Sequence, residues 1–351
     1  TKVDLGILRD GKAKQVDVTT IERPKTGRGG RGFGDPSEDL AKSDDVGVLN
    51  GVAVGDLDDN GAADVVVVLN AGSTSPQVLV MLGQKDGTFK AHASGPIALT
   101  RSSAPTAVAV ATADSKAKPY IVISGTTSQR ATLDVLRNDG TGALSGLTQT
   151  LVGGSQSGAS HVTLADLDGD GKLDAVTANS AGNSVSVLAG NGAGTFTAVA
   201  GSPFAMGSVP NHVIAADLDN DGKLDLVTAN TGVLAATVGI NVRKGDGLGG
   251  FGSPSFTLLS QVPTNITSAD FNLDGNADVA VSHAAASFSY LTGKGTLVGA
   301  PFNAAATVTL STTMGTSIIA APFNTDSDQL PDVVTTSTNT NNLSISINSC
   351  P

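Results

Sequence analysis

The sequence is poor in cysteine, in aromatic residues and in basic charge. It holds 1 Cys, 2 Tyr and no Trp in 351 residues, and aromatic residues make up 3 % of it. The single thiol, Cys350, excludes a disulfide within the chain. The formal net charge of -11 argues against a nucleic-acid partner, because phosphate binding needs a basic surface. A core with so few aromatic rings has to be packed from Val, Ala, Leu and Ile.

Long apolar runs and common catalytic motifs are also missing. No apolar stretch approaches the roughly 20 residues of a membrane-spanning helix, so we expect no membrane span. The patterns G-x-S-x-G, H-E-x-x-H and the P-loop do not occur. GRGGRG at residues 27–32 fits G-x-G-x-x-G, but no strand precedes it and no helix follows, which indicates a loop. An enzyme whose residues come from separate repeats would leave no such motif.

What the sequence does have is glycine and short apolar runs. There are 43 Gly, and 40 % of the residues are hydrophobic, mostly Val, Ala, Leu and Ile in short segments between turns. This composition predicts an all-β protein of short strands and tight turns, with few helices.

One acidic sequence motif occurs five times, and its first copy is GDLDDNGAAD, which begins at Gly55. Each copy has oxygen-bearing side chains at loop positions 1, 3, 5 and 9, counted from the first acidic or amide residue. These candidate metal ligands are Asp56, Asp58, Asn60 and Asp64; Asp166, Asp168, Asp170 and Asp174; Asp217, Asp219, Asp221 and Asp225; Asp270, Asn272, Asp274 and Asp278; and Asn324, Asp326, Asp328 and Asp332.

The spacing of these oxygens predicts calcium sites. Ca²⁺ takes six to eight oxygen ligands, so several short carboxylate arms have to converge on one point, whereas Mg²⁺ demands strict octahedral geometry. Position 6, where the chain turns sharply, is Gly in four loops and Gln329 in the fifth. Position 7 varies freely, as expected if only its backbone carbonyl is a ligand. The alternative is that the loops are ordinary Asp- and Gly-rich turns between strands.

A sixth copy has lost its ligands. Its strands are in register, but its ligand positions fall on Thr112, Asp114, Lys116 and Tyr120. Counting this copy, the repeats recur every 51 to 56 residues, a period that suggests one small antiparallel sheet each. Four strands can be traced in the repeat around Asp166, which is the content of one propeller blade.

These DxDxDG loops resemble FG-GAP or VCBS repeats, the family that builds the integrin α-subunit propeller. The resemblance covers roughly residues 47–351. It implies a β-propeller in which calcium, at about five sites, stabilises the fold, and in which other loops bind the ligand.

The predicted domain organisation has three parts. Residues 1–20 form a hairpin that supplies closing strands, residues 21–46 form a linker loop rich in Gly, Arg and acidic residues, and residues 47–351 form the propeller. Six loops predict six four-stranded blades. Because the hairpin offers one strand more than the last blade needs, seven blades is the alternative.

The predicted function is a secreted or cell-surface module for binding, adhesion or self-assembly. The chain begins at Thr1, and we expect a processed N-terminus and an extracellular location. Expected partners are a protein or a glycan at the cell surface, or a second copy bound through the N-terminal arm. A lectin is the first alternative, although sugar sites favour aromatic platforms, and a lyase or hydrolase is the second.

Overall fold

The structure is a computed structural model. It describes residues 3–9, 12–18, 48–70, 75–100, 104–111, 118–127, 130–154, 158–285, 287–303, 305–309, 315–321, 331–337 and 343–348. The chain divides into two compact units, a first unit of residues 24–204 and a second unit of residues 1–23 and 205–351. The predicted linker, residues 21–46, lies outside the described residues.

The first unit contains three antiparallel sheets, which we call blades 1, 2 and 3. In each blade the strands pair in chain order, as expected for a meander with tight turns. Blade 1 is β3 (Val48–Gly55), β4 (Asp64–Asn70), β5 (Gln77–Gly83) and β6 (Phe89–Ala91), with the short β7 (Ile97–Ala98) also on β5. Blade 2 is β8 (Ala104–Ala111), β9 (Tyr120–Thr127), β10 (Arg130–Asn138) and β11 (Leu144–Val152). Blade 3 is β12 (Ala159–Ala165), β13 (Asp174–Asn179), β14 (Ser184–Gly190) and β15 (Phe196–Ala198).

The second unit contains blades 4, 5 and 6, and the two-residue strand β16 (Phe204–Ala205) lies at the boundary of the units. Blade 4 is β17 (Pro210–Ala216), β18 (Asp225–Asn230), β19 (Gly239–Gly245) and β20 (Phe251–Leu258). Blade 5 is β21 (Pro263–Ala269), β22 (Asp278–His283), β23 (Ser287–Leu291) and β24 (Ala306–Thr309). Blade 6 begins with β25 (Gly315–Ala321), β26 (Asp332–Ser337) and β27 (Leu343–Asn348).

The N-terminal hairpin joins blade 6. Its strands β1 (Val3–Arg9) and β2 (Lys12–Val18) pair antiparallel, and β1 pairs with β27, so that the sheet order is β2-β1-β27-β26-β25. The pairing of β1 with β27 is parallel, with Leu5 opposite Ile345. Both hairpin strands are therefore accommodated in one five-stranded sheet, and the described residues form six sheets in all.

The predicted all-β propeller of four-stranded antiparallel blades is confirmed. Helix is as scarce as expected: the described residues include a single short 3-10 turn, Ala235–Thr237, and no α-helix. Within that part of the chain, no helical segment has the length and apolar character needed to cross a bilayer.

In all six blades the first two strands form a hairpin with the same pairing at its loop end, and the two paired residues are nine positions apart in five blades and eleven apart in blade 6. The residue that ends the first strand pairs with the residue that begins the second, as in Ala165 with Asp174. The other pairs are Gly55 with Asp64, Ala111 with Tyr120, Ala216 with Asp225, Ala269 with Asp278, and Ala321 with Asp332. Because the side-chain period of a strand is two, one register places the same faces inward in every blade.

The cores lie between successive blades and are aliphatic, as the composition predicts. Val66 and Val80 of blade 1 pack in one cluster with Ile121 and Ile123 of blade 2. In the second unit, Val227 and Ile240 of blade 4 pack with residues of blade 5 such as Val281. Removing these branched side chains from water is the main source of stability, at about 25 cal/mol for each Å² of apolar surface.

A buried polar position at the end of the second strand differs between blades. In blade 3, Asn179 Nδ2 donates to Ser186 Oγ at 2.9 Å. In blade 5 the same place holds His283, whose Nε2 lies 2.7 Å from Ser289 Oγ. Burial lowers the pKa of His283, and the Val262 backbone offsets part of that shift.

Because of His283, we expect the protein to lose stability in acid, and we expect the substitution His283→Asn to remove this loss. The folded-state pKa lies below the unfolded value of about 6.5, so the unfolded chain takes up the proton first and stability declines as the pH falls below about 6.5. Between pH 7.5 and 5.5 the wild type is expected to lose about 1 kcal/mol relative to the variant. Urea unfolding at both pH values measures the difference, and parallel losses in the two proteins would contradict it.

Candidate metal centres

The acidic loops connect the first and second strands of their blades and share one backbone conformation. Position 6 is a glycine with positive φ in four loops, namely Gly61, Gly171, Gly222 and Gly275. Position 4 also takes the left-handed conformation, in Asp59, Gly169, Asn220 and Leu273. Two left-handed residues so close together fold nine residues into a tight loop whose polar side chains point inward.

The carboxylate at position 1 is held by the loop backbone. Its Oδ2 accepts the N–H of the position 6 glycine at 2.8 to 2.9 Å in all four of these loops. Its Oδ1 accepts a second backbone N–H, from Asn60 in the first loop and from Gly169 in the second. The backbone of the loop therefore fixes the orientation of the position 1 carboxylate.

Three loops bring carboxylate oxygens together. The positions 1, 3 and 9 of these loops each contribute an oxygen, and the three oxygens lie within 4.8 Å of one another. The groups are Asp56, Asp58 and Asp64; Asp166, Asp168 and Asp174; and Asp217, Asp219 and Asp225. Such a concentration of negative charge on hard oxygen donors suits a divalent cation such as Ca²⁺.

The comparison with known families agrees with this loop geometry. Residues 117–177 and residues 166–228 each match the model of the FG-GAP-like repeat. The two matches lie in adjacent repeats of this chain. The chain therefore contains FG-GAP-like repeats, and its fold is a β-propeller. No curated protein matches the sequence.

Solved structures share the fold of this propeller at low sequence identity. BBS1N, crystallised in complex with ARL6DN and soaked with lead, has a TM-score of 0.57 and 11 % identity, over 84 % of this chain and 79 % of that one. A protein from Lactobacillus plantarum has a TM-score of 0.54 and 16 % identity, over 85 % and 83 %. Virginiamycin B lyase from Staphylococcus aureus has a TM-score of 0.51 and 13 % identity, over 87 % and 85 %.

The carboxylate at position 9 of the acidic loops has a role in this propeller that the sequence does not reveal. Asp225 is fully buried, and it accepts the backbone N–H of Leu218 at 3.0 Å and that of Gly245 at 2.9 Å. The same two bonds recur at Asp64, Asp174 and Asp278, from position 2 and from a glycine at or just after the end of the third strand. The carboxylate at position 9 therefore links the loop to the third strand through these two hydrogen bonds, whether or not it also binds metal. We call this pair of hydrogen bonds the clasp.

Burial makes this clasp carboxylate a weaker acid. Desolvation raises the pKa of Asp225 to about 6, although the two N–H donors and neighbouring carboxylates also act on it. It raises the pKa of Asp64, Asp174 and Asp278 too. Because the folded-state pKa of Asp225 lies above its unfolded value, the metal-free fold gains stability from this group as the pH falls from about 6 towards 4, and the other three carboxylates act in the same direction. A bound cation would favour the charged form instead.

Position 2 of the loop is another element that sequence reasoning missed. Leu57, Leu167, Leu218 and Phe271 occupy it, and all are buried. Leu57 packs in the core cluster between blades 1 and 2, and Leu218 packs in the cluster between blades 4 and 5. The sequence signal for this role is the apolar residue that recurs between the polar side chains of positions 1 and 3.

The predicted ligands of the fourth and fifth loops remain. In the fourth loop Asn272 Nδ2 donates to Asp274 Oδ2 at 3.0 Å, so an amide replaces one carboxylate of the cluster. In the fifth loop only Asp332 is described, and it is buried, while Asn324, Asp326 and Asp328 lie outside the described residues.

In the sixth copy Thr112, Asp114 and Lys116 lie outside the described residues too. Tyr120 takes the position 9 place, and its ring packs edge-on against Phe196 at 6.1 Å between centroids. An apolar contact between blades thus stands where other blades have the clasp.

Lysines lie beside the second and third loops. Lys172 Nζ contacts Asp170 Oδ2 at 2.5 Å, and this hydrogen bond lowers the pKa of Asp170. In the third loop, Lys244 contacts both Asp219 and Asp221, and it lowers the pKa of Asp221.

The strained position 4 of the fourth loop predicts a stabilising substitution. Leu273 has φ of +56° and is 57 % exposed, so its side chain gains little packing in return for the left-handed backbone. Leu273→Asn is expected to raise the free energy of unfolding by about 1 kcal/mol, measured by urea denaturation in EGTA. Gly169→Leu, the reverse change in an open position of the second loop, is expected to lower it similarly. No change in either variant would contradict the strain argument.

Proposed function

We propose that this FG-GAP propeller is an extracellular binding or assembly module whose blades are stabilised by calcium. The observation that carries the proposal is the repeated convergence of three carboxylate oxygens within 4.8 Å in successive acidic loops. Like charges at this distance repel one another, and a cation among them removes that cost. The number of loops favours a structural role for the ion over a catalytic one.

The residues present fit a hard divalent cation. In the described loops the side chains at positions 1, 3 and 5 would hold it, with the backbone carbonyl at position 7, and position 9 would contribute through its clasp carboxylate. One buried atom supports this reading: Asp219 Oδ1 has no hydrogen-bond partner within the part of the chain that is described. Bound calcium would supply positive charge and fix the loop between two strands.

The type of site supports the proposed extracellular location. Exposed loops with several short carboxylates resemble the weak calcium sites of extracellular modules, which fill at about millimolar calcium. The partner we propose is a protein, at a cell surface or as a second copy of this chain. BBS1N, which has the same fold, was crystallised with the protein ARL6DN bound.

Calcium binding is tested with terbium, whose luminescence is excited through nearby tyrosine. Tyr290 Oη lies 3.0 Å from Asp278 Oδ2 of the fourth loop, and the molecule has no Trp to obscure the signal. We expect Tb³⁺ luminescence that calcium displaces, reduced in Tyr290→Phe, and a melting temperature several degrees higher in 2 mM CaCl₂ than in EGTA. A melting curve unaffected by EGTA, with no luminescence, would refute the calcium role.

Assembly is tested by light scattering in calcium buffer over a hundredfold range of protein concentration. A mass that rises with concentration supports self-association. A constant monomer mass would refute self-assembly and leave a different protein as the partner.

A further inference from the structure

Lys244 reaches from the third strand of blade 4 into the third acidic loop. It lies next to Gly245, the glycine whose N–H donates to Asp225. Its Nζ contacts Asp219 Oδ2 and lies 3.1 Å from Asp221 Oδ2. The ammonium therefore bridges the carboxylates at positions 3 and 5, two of the oxygens that would bind calcium.

The corresponding residues of the other blades with described loops carry no charge. They are Leu82 in blade 1, Ala189 in blade 3 and Thr292 in blade 5, each directly before the equivalent glycine. The lysines at position 7 are placed differently: Lys172 pairs with Asp170 alone, and Lys223 Nζ is 3.9 Å from Asp221 Oδ2. Among the described loops, only the third has an ammonium across two ligand positions.

The third loop nevertheless keeps an acceptor for a further cation. The Asp219 side chain is 10 % exposed, and its Oδ1 is buried without a hydrogen-bond partner among the described residues. One oxygen of Asp219 also belongs to the group that lies within 4.8 Å of Asp217 and Asp225 oxygens. Lys244 thus neutralises part of the cluster and leaves one buried carboxylate oxygen unsatisfied, which favours exchange with a divalent ion.

We propose that Lys244 is a tethered competitor of the divalent cation, so that the third loop binds calcium more weakly than the second. The inference rests on the proposed calcium function and refines it. In the absence of calcium the ammonium stabilises the third loop. When calcium binds, its two positive charges displace the single charge of Lys244 from Asp219 and Asp221.

A neighbouring cavity gives the displaced side chain room. It has a volume of about 160 Å³, and it is lined by Lys244 and Asp219 together with Ser253, Ser255 and Leu297. The two serine hydroxyls can accept hydrogen bonds from the ammonium. Lys244 can therefore leave the loop without losing all of its polar contacts.

The test follows each loop separately by NMR of the protein labelled with ¹⁵N-glycine. The N–H groups of Gly171, Gly222 and Gly275 donate to the position 1 carboxylates of their loops, so each reports on its own site. In a calcium titration of the wild type we expect Gly222 to respond at higher calcium than Gly171. In Lys244→Ala the midpoint for Gly222 is expected to fall roughly tenfold, because an adjacent charge that opposes the ion is removed.

Lys223→Ala is the matched control, since it removes the same charge from the same loop without vacating a ligand position. We expect it to move the Gly222 midpoint less than threefold, and neither variant to move those of Gly171 and Gly275. An unchanged Gly222 midpoint in Lys244→Ala, or an equal shift in Lys223→Ala, overturns the competitor role while calcium binding stands. If no glycine signal responds to calcium in any variant, both proposals fail.

Discussion

Replacing Asp225 by asparagine is expected to lower the free energy of unfolding by about 3 kcal/mol even when no calcium is present. The carboxylate is fully buried, and its two oxygens each accept a backbone N–H, from Leu218 and Gly245. An asparagine keeps one acceptor but turns an NH₂ group towards the other N–H. That buried donor then lacks a partner, and water cannot reach it. Urea unfolding in EGTA measures the loss.

Asp217→Asn in the same loop is the control for this prediction. Asp217 also accepts two backbone N–H groups, but these hydrogen bonds are exposed to solvent, and water can replace them. In EGTA we expect a loss of less than about 1 kcal/mol, whereas the stabilisation by calcium should decrease in this variant. Equal losses for Asp217→Asn and Asp225→Asn in EGTA would show that position 9 is no more than another loop carboxylate.

The repeat could be found from the sequence because its signals are local. Positions 1, 3, 5 and 9 lie within nine residues, and the hairpin register follows from the strands on either side of the loop. The same local character explains why a sharp turn could be predicted at the glycine of position 6, and in the structure Gly171 has a positive φ there. Blade architecture then followed from the period of the repeat.

The clasp could not be predicted because one of its two N–H donors, the glycine at or just after the end of the third strand, follows position 9 at a varying separation. Gly83 follows Asp64 by 19 residues, whereas Gly190 follows Asp174 by 16. Loops of different length between the strands hide the correspondence, and only the pairing of strands reveals it. Lys244 was missed for the same reason, since nothing local connects it with Asp219.

The N-terminal hairpin was placed with the last blade, but its orientation was beyond sequence reasoning. The pattern of residues 3–19 indicates two strands and a turn, and it does not say which strand meets β27 or in which direction. In the structure β1 runs parallel to β27 and β2 forms the sheet edge. The extra strand therefore widens blade 6 to five strands.

Gly245→Ala is expected to destabilise the protein by roughly 3 kcal/mol or more, because a methyl group has no room there. A Cβ built on Gly245 would lie 2.1 Å from the backbone oxygen of Leu224, the residue before the clasp aspartate. The oxygen belongs to the backbone and cannot turn aside as a side chain can. To admit the methyl group, β19 has to move away from the loop, which breaks the bond between the Gly245 N–H and Asp225.

Gly252→Ala in the next strand of the same blade shows whether this cost is specific. Its Cβ would meet Lys244 O at 3.6 Å, an ordinary contact, so we expect a change of no more than about 0.5 kcal/mol. Urea unfolding in EGTA compares the two variants, and absence of a cooperative transition in Gly245→Ala alone would count as the expected loss. Two variants of equal stability would mean that the third strand does not approach the loop as closely as the clasp requires. That result would also contradict the role assigned to Asp225.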